Sequence, residues 1–213
     1  MRAYCGQTRD KRLVQLFAQY GVGECTVRGE LLSRKRDPWF YDNGAFRDWQ
    51  AGKMFNAMRF VRDMRRIRYS NGRDGAPDFV VLPDKVAAGT ASLDFSDGWW
   101  NDVEGLRSYV AVQDGMSADD VARFVDAAHD SDHAVAGVFV GGTLEWKLAT
   151  ASSWVSFAHA LGIRCHVGRV GTPDRVRWAA ELGVDSIDSC LPLMFEGHRV
   201  AFLSALEAVG GST

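Results

Sequence analysis

Eight short apolar runs recur along the chain with longer, helix-periodic stretches between most of them, and this alternation most limits the folds open to it. The runs are "RAYC" (2 to 5), "ECTV" (24 to 27), "PWFYD" (38 to 42), "DFVVLP" (78 to 83), "SYVAVQ" (108 to 113), "VAGVFV" (135 to 140), "IRCHVG" (163 to 168) and "VDSID" (184 to 188). Helical patterns lie at 9 to 20, 49 to 68, 117 to 129, 144 to 161, 173 to 182 and 198 to 208. Two carry clear start signals: Ser117 with acids in the next turn, and Thr172 before Pro173 with Gly183 as the stop. Strand and helix in alternation imply a parallel sheet, and eight strands imply an α/β fold closed as a single, compact (β/α)8 TIM barrel, with an open doubly wound sheet as the alternative. A chain of 213 residues with 46% hydrophobic content can bury the core such a barrel needs, and no linker or composition break divides it, so one domain over 1–213 is expected. The stretches 28 to 37 and 85 to 107 read as long βα loops or short helices.

The formal charge of −2 gives no global pull toward a polyanion, so any nucleic-acid binding must come from a local patch. Cys5, Cys25, Cys165 and Cys190 lie far apart, with no CxxC spacing and no partner histidine at ligand distance, which argues against a structural zinc. No two histidines form a metal pair with a nearby acid, so neither a metal nor a cofactor is assigned. With no leader-like start and no long apolar span, the chain reads as cytoplasmic, with no membrane partner and with reduced thiols.

Strand ends are where a barrel of this kind gathers its active site. In order they carry Asp42, Asp84, Gln113 with Asp114, Gly141 with Gly142, Gly168 with Arg169, and Asp188. In "WFYDNGAF" the aromatic run stops on Asp42, and Asn43, Gly44 and Ala45 promise its carboxylate almost no cover. Each such residue taken singly is a turn former or a helix cap. Taken together they form a polar ring, and its chemistry suits a nucleobase such as guanine. A carboxylate accepts from the ring N–H and amino group, while an amide and a backbone N–H donate to the carbonyl. Asp84, Gln113 and the Gly142 N–H supply that complement if they converge, leaving Asp42 and Asp188 for the chemistry.

The segments carrying these residues resemble a known family. "YDNGAF" is similar to the aspartate-glycine-phenylalanine segment of the queuine and archaeosine tRNA-guanine transglycosylases, "VAVQDGM" to their "IVQGG" strand, and "VFVGGT" to their "AIGGL". "VGRVGTPDRVRWAAELGVDSIDSCLP" resembles the stretch ending in their nucleophilic aspartate, and the order of all four is kept over roughly residues 38 to 192. The resemblance implies that Asp188 is the nucleophile and Asp42 the general acid/base, that Asp84, Gln113, Gly141 and Gly142 read the base, and that Thr143 sits beside the substituent of an incoming 7-deazaguanine. It implies a double displacement without a cofactor.

The chain departs from the tRNA enzymes in length. Residues 189 to 213 are all that follow Asp188, with no Cys-x-Cys-x-x-Cys, so their zinc subdomain should be absent. Lys147 stands close to the place of their glutamate beyond "GGL". The compact form looks more like the phage-type DNA-guanine transglycosylases. The expected partners are therefore DNA, with RNA as the alternative, and a 7-deazaguanine base, with a homodimer as the assembly to test and a host cytoplasm as the setting if the source is viral. A non-catalytic nucleic-acid-binding subunit is the reading from another class.

Phosphate contact is expected from "MRFVRDMRRIRYSNGR", chiefly Arg62 and Arg66, supported by Arg28, Arg34, Lys35 and Arg36, and from Lys147 and Arg169 beside the site. Such a run can equally be a solvated face. Trp99, Trp100 and Trp146 are candidates for stacking on a flipped base or for core packing. His166, inside a strand, reads as an interior histidine with satisfied nitrogens.

Overall fold

A computed structural model describes residues 1–31, 36–69 and 75–210. Arg34, Lys35 and Arg73, expected to contribute to the basic patch, lie outside the described residues. The elements run β1 (Arg2–Gly6), α1 (Lys11–Gln19), β2 (Gly23–Val27), β3 (Trp39–Asp42), α2 (Ala45–Gln50), α3 (Ala57–Tyr69), β4 (Val80–Val81), α4 (Ala91–Asp97), β5 (Ser108–Val112), α5 (Ala118–Asp130), β6 (Val135–Val140), α6 (Leu144–Ala160), β7 (Arg164–Val167), α7 (Pro173–Glu181), β8 (Ser186–Ser189), α8 (Leu191–Met194) and α9 (Glu196–Gly210). The strands pair in parallel in sequence order, and β8 closes on β1, so the molecule is a (β/α)8 barrel. Each apolar run expected to be a strand overlaps one.

Alternation along the strands sorts side chains into two cores. Outward residues such as Trp39, Tyr41, Val80, Leu82, Val110, Val112, Cys165 and Val167 pack under the helices. Inward residues Tyr4, Cys25, Phe40, Phe79, Val81, Tyr109 and Ala111 fill the barrel, with Phe139 against them. The filling is mostly aromatic: Phe79 stacks on Tyr109 at 3.9 Å and on Phe40 at 4.6 Å, and Phe139 stacks on His166 at 4.7 Å. This layer is the floor of whatever lies at the strands' C-terminal ends. Asp42 stands two residues beyond Phe40, Gln113 two beyond Ala111 and Asp188 two beyond Ser186, so all three share the inward face.

Helix starts follow their capping chemistry. Ser117 and Asp120 form a reciprocal capping box on α5, and Thr143 caps α6 by accepting from the Trp146 N–H at 3.3 Å. The single helix expected over 49 to 68 is instead two. Gly52, at φ 63°, takes the left-handed turn that ends α2, and Asn56 Oδ1 accepts the Arg59 N–H at the head of α3. Short helices α4 and α8 occupy stretches without a helical period of their own.

For Trp99 and Trp100 the structure favours core packing over stacking on a flipped base. Trp100 is 6% exposed, lies against Phe124 and His133 and donates to Asp97 Oδ1 at 3.1 Å. Trp99 packs among Phe55, Phe60 and Phe95. Neither indole is free to wedge into a duplex. The four cysteines are free thiols, and no described helix is long and apolar enough to cross a membrane.

Candidate active site

The nucleophile candidate is positioned by the strand beside it. Asp188 ends the inward row of β8, and its Oδ1 lies 3.0 Å from Nε2 of His166, which is fully buried one strand away. The other ring nitrogen, Nδ1, is 2.8 Å from the Ser186 hydroxyl. Since an ionised carboxylate can only accept, the consistent tautomer has Nε2–H donating to Asp188 while Nδ1 accepts from Ser186. Burial lowers the His166 pKa against the opposing pull of Asp188, so the ring is a neutral donor. The Gly168 backbone passes so close that a Cβ there would lie 2.9 Å from the Phe139 ring and 3.3 Å from Asp188 Oδ1, which is why this position holds glycine. Oδ1 is thereby tethered from below, and Oδ2 is the oxygen left to act on a substrate.

Asp42 and Asp84 occupy the other side of the mouth in a different setting. Far from bare, Asp42 Oδ1 accepts the Gly44 N–H at 2.6 Å, because the left-handed Gly44 turns its amide back onto the carboxylate. Asn43, 2% exposed, spends its whole amide locally: Nδ2 donates to the Leu82 carbonyl at 2.6 Å and to Asp84 Oδ1 at 2.8 Å, and Oδ1 accepts the Ala45 N–H at 2.7 Å. One side chain thus ties the loop after β3 to the loop after β4. Desolvation raises the Asp42 pKa to about 6, with the charge of Asp188 adding to the rise and the Gly44 N–H opposing it. Desolvation likewise raises Asp84 to about 7, against the Asn43 hydrogen bond and helped by Asp42. Asp42 therefore senses Asp188 across the mouth, and Asp84 senses Asp42 beside it.

The remaining site candidates divide. Gln113 is 3% exposed and its amide braces the loop after β4, donating to the Lys85 carbonyl at 2.8 Å and accepting the Ala87 N–H at 2.7 Å; Nε2 carries a second N–H. Gly141 donates its N–H to the Val112 carbonyl at 2.9 Å, whereas Gly142 has φ 70° and no room for a Cβ beside Asp114 and Trp146. Thr143 is engaged twice by Asp114, through its N–H at 2.7 Å and its hydroxyl at 2.6 Å, which makes it part of the α6 start. Lys147 is 2% exposed and its ammonium donates to the Gly168 carbonyl, so it lies beneath the surface a phosphate backbone would cross. Burial pulls it down to about 7, with the Arg169 charge lowering it further and Asp188 opposing. Arg169 is exposed at the mouth.

Part of the outer basic patch is spent on structure. Arg28, 1% exposed, pairs with Asp48 and lies over the Phe55 ring at 4.3 Å. Arg36, 6% exposed, donates to the carbonyls of Val22, Gly23 and Cys5. Arg68 bonds Glu104 and the Asn101 carbonyl. Arg59, Arg62, Arg65 and Arg66 are exposed on α3. That helix descends from the mouth, which puts Arg66 about 13 Å below its start at 1.5 Å per residue.

His166 and Asn43 act on the acids directly, and neither was singled out as functional from sequence; His166 shares the inward parity of Asp188, which is the signal that would have found it. A concavity of about 450 Å³ lined by Phe195, Gly197, His198 and Ala201 holds no acid. Among the described residues no group of His, Cys, Asp and Glu is arranged to hold a metal ion. Compared with known proteins, the chain matches no family model and no curated protein.

Proposed function

We propose that this chain is a base-exchange transglycosylase resembling the tRNA-guanine transglycosylases, replacing guanine in DNA by a 7-deazaguanine through a covalent aspartyl-glycosyl intermediate. The observation that carries the reading is that two inward carboxylates at one mouth have opposite settings: Asp188 receives the His166 N–H on Oδ1, while Asp42 is raised to about 6. A carboxylate oriented by a donor on one oxygen suits nucleophilic attack through the other, and a carboxyl that burial holds protonated suits acid/base work.

In the first step Asp188 Oδ2 attacks the sugar anomeric carbon as the glycosidic bond breaks, and the departing guanine takes a proton from Asp42. The sugar is then an ester of Asp188. In the second step Asp42, now ionised, removes the proton from the incoming base, whose nitrogen attacks the same carbon and expels the Asp188 carboxylate. Two inversions retain configuration, and each base carries its own electron pair, so nothing is oxidised or consumed. Asp84, as a carboxylate, is assigned the adjacent donors of guanine, and the Gly142 N–H and the second Gln113 N–H are assigned its carbonyl.

The test is incubation with labelled guanine and either duplex DNA or unmodified tRNA. Label in DNA is expected. Label in tRNA alone moves the same chemistry to RNA, and label in neither overturns the reading in favour of a non-catalytic nucleic-acid-binding barrel.

A further inference from the structure

Arg169 and Phe46 belong to opposite sides of the barrel. Phe46 lies in the first turn of α2, just after β3, and Arg169 follows β7, four strands away around a closed ring of eight. Their side chains nevertheless meet, with the Arg169 guanidinium carbon 4.4 Å from the Phe46 ring centroid. The same guanidinium donates to the Gly142 carbonyl after β6. The contact therefore crosses the mouth over Asp42 and Asp188. It depends on an unusual backbone, since Arg169 has φ 61°, a left-handed conformation costly for a residue with a Cβ. Strain of this kind gathers where the surrounding structure holds a side chain for a purpose.

The closing contacts are of a particular quality. Among the described residues the Arg169 guanidinium forms no ion pair with a carboxylate; a neutral carbonyl and a ring face hold it, while the backbone N–H of the same residue donates to Asp188 Oδ1 at 3.4 Å. A phosphate offers two charged acceptor oxygens in the fork geometry that guanidinium fits, and outcompetes both. A free base or nucleoside carries no such group.

We propose that Arg169 is a latch that a backbone phosphate opens, so that the site admits a base borne on a polymer and stays closed to a free nucleoside. This rests on the base-exchange reading and adds to it the element that selects the polymer. When the guanidinium leaves Phe46 for a phosphate, the same movement grips the strand and uncovers the acids.

Two variants test it. Arg169→Asn removes the guanidinium while keeping a residue that tolerates the left-handed backbone, and Phe46→Leu removes the ring while keeping the arginine. Hydrogen–deuterium exchange at residues 44–46 needs no catalysis and is expected to quicken at least about threefold in both variants; unchanged rates overturn the latch. Labelled-guanine exchange is then compared on duplex DNA and on deoxyguanosine. Arg169→Asn should narrow the wild-type preference for polymer by at least about tenfold, losing rate on DNA and gaining it on the nucleoside. A preserved preference with quickened hydrogen exchange overturns the selective role. If the wild type labels no polymer while hydrogen exchange responds as expected, the base-exchange reading fails and the latch stands.

Discussion

The two halves of the mouth hold the same functional group in opposite ways. On the β7–β8 side Asp188 rests on a rigid floor, its Oδ1 receiving a hydrogen bond from a histidine that is itself fixed by Ser186 and stacked on Phe139. On the β3–β4 side Asp42 and Asp84 are held through one asparagine and a glycine amide, and both are raised, to about 6 and about 7. The donor from below orients one oxygen of Asp188 and leaves the other to face the mouth, whereas burial beside another acid favours the protonated form of Asp42 and Asp84. Residue type thus says little about role here, and the neighbours decide it.

The sharpest way to break this comparison is to neutralise the β8 side. Asp188→Asn keeps the shape and leaves an acceptor for His166, so the fold should persist while exchange falls by about 10⁴-fold or more, the scale seen when a nucleophile is removed. Circular dichroism checks the first half and labelled-guanine incorporation the second. A variant with near-normal turnover would return Asp188 to a structural role.

The β3–β4 side should show itself in stability before activity is measured. Both acids start from an unfolded value near 3.8. Between about pH 4 and pH 7 the folded carboxyls keep protons that the unfolded chain has released, so folded stability falls as pH rises through that window and levels off above it. A tenfold difference in proton affinity between the folded and unfolded chain corresponds to about 1.4 kcal/mol. Asp42→Asn and Asp84→Asn should therefore each be more stable than wild type at pH 8, by roughly 1–3 kcal/mol after allowance for partial exposure, and the gain should vanish near pH 4. Denaturant midpoints at the two pH values measure it, and a variant that is less stable at pH 8 would contradict the raised values of both acids.

How much of this could be read without coordinates follows from which physics is local. The strands could be placed because alternation is written into a few consecutive residues, and the inward parity of Asp42, Gln113 and Asp188 follows from counting by two. What could not be read is where each polar group finds its partner. Asn43 promised Asp42 almost no cover but joins two loops, donating to Asp84 across 41 residues of sequence. Arg28 and Arg36 looked like a phosphate patch and are buried on carbonyls, an aromatic ring and Asp48. Trp99 and Trp100 lie in a stretch without helical period, so nothing local announced that α3 and α5 would cover them. The break at Gly52 was legible in principle, but a continuous arginine-rich pattern beyond it masked the stop.

The base-reading role proposed for Asp84 separates it from Asp42, its neighbour in the same half. Only the ionised form accepts both guanine donors, and removing it leaves those donors unpaired in a closed site at about 1–3 kcal/mol. Asp84→Ala should weaken guanine binding by roughly ten- to a hundredfold, and wild-type binding should itself weaken as pH falls below about 7, where Asp84 takes up its proton. Calorimetric titration with guanine at pH 6 and pH 8, with an oligonucleotide carrying an abasic site present so that a phosphate occupies Arg169, measures both. Equal affinity at the two pH values would remove Asp84 from base recognition.

The smallest expected effect asks whether the β3–β4 half extends outward along α3. Arg62 and Arg66 are exposed on this helix, whereas Arg68 is engaged by Glu104 and the buried face holds Phe60, Asp63, Met64 and Ile67. Asp63 is itself committed, accepting the Gly29 N–H at 2.6 Å and the Tyr41 hydroxyl at 3.0 Å, so it does not neutralise the outer arginines. If a polymer crossing the mouth drapes over α3, each guanidinium contributes one phosphate contact and about 0.9 to the slope of log affinity against log salt on duplex DNA. Replacing both by alanine should then reduce that slope by about 0.9 to at most about 1.8 with no change in base preference, because phosphate contacts carry no sequence information. Arg66, set well below the mouth, should account for less of the loss than Arg62. An unaltered slope would make α3 an ordinary solvated face and leave Arg169 to grip the strand where it enters the site.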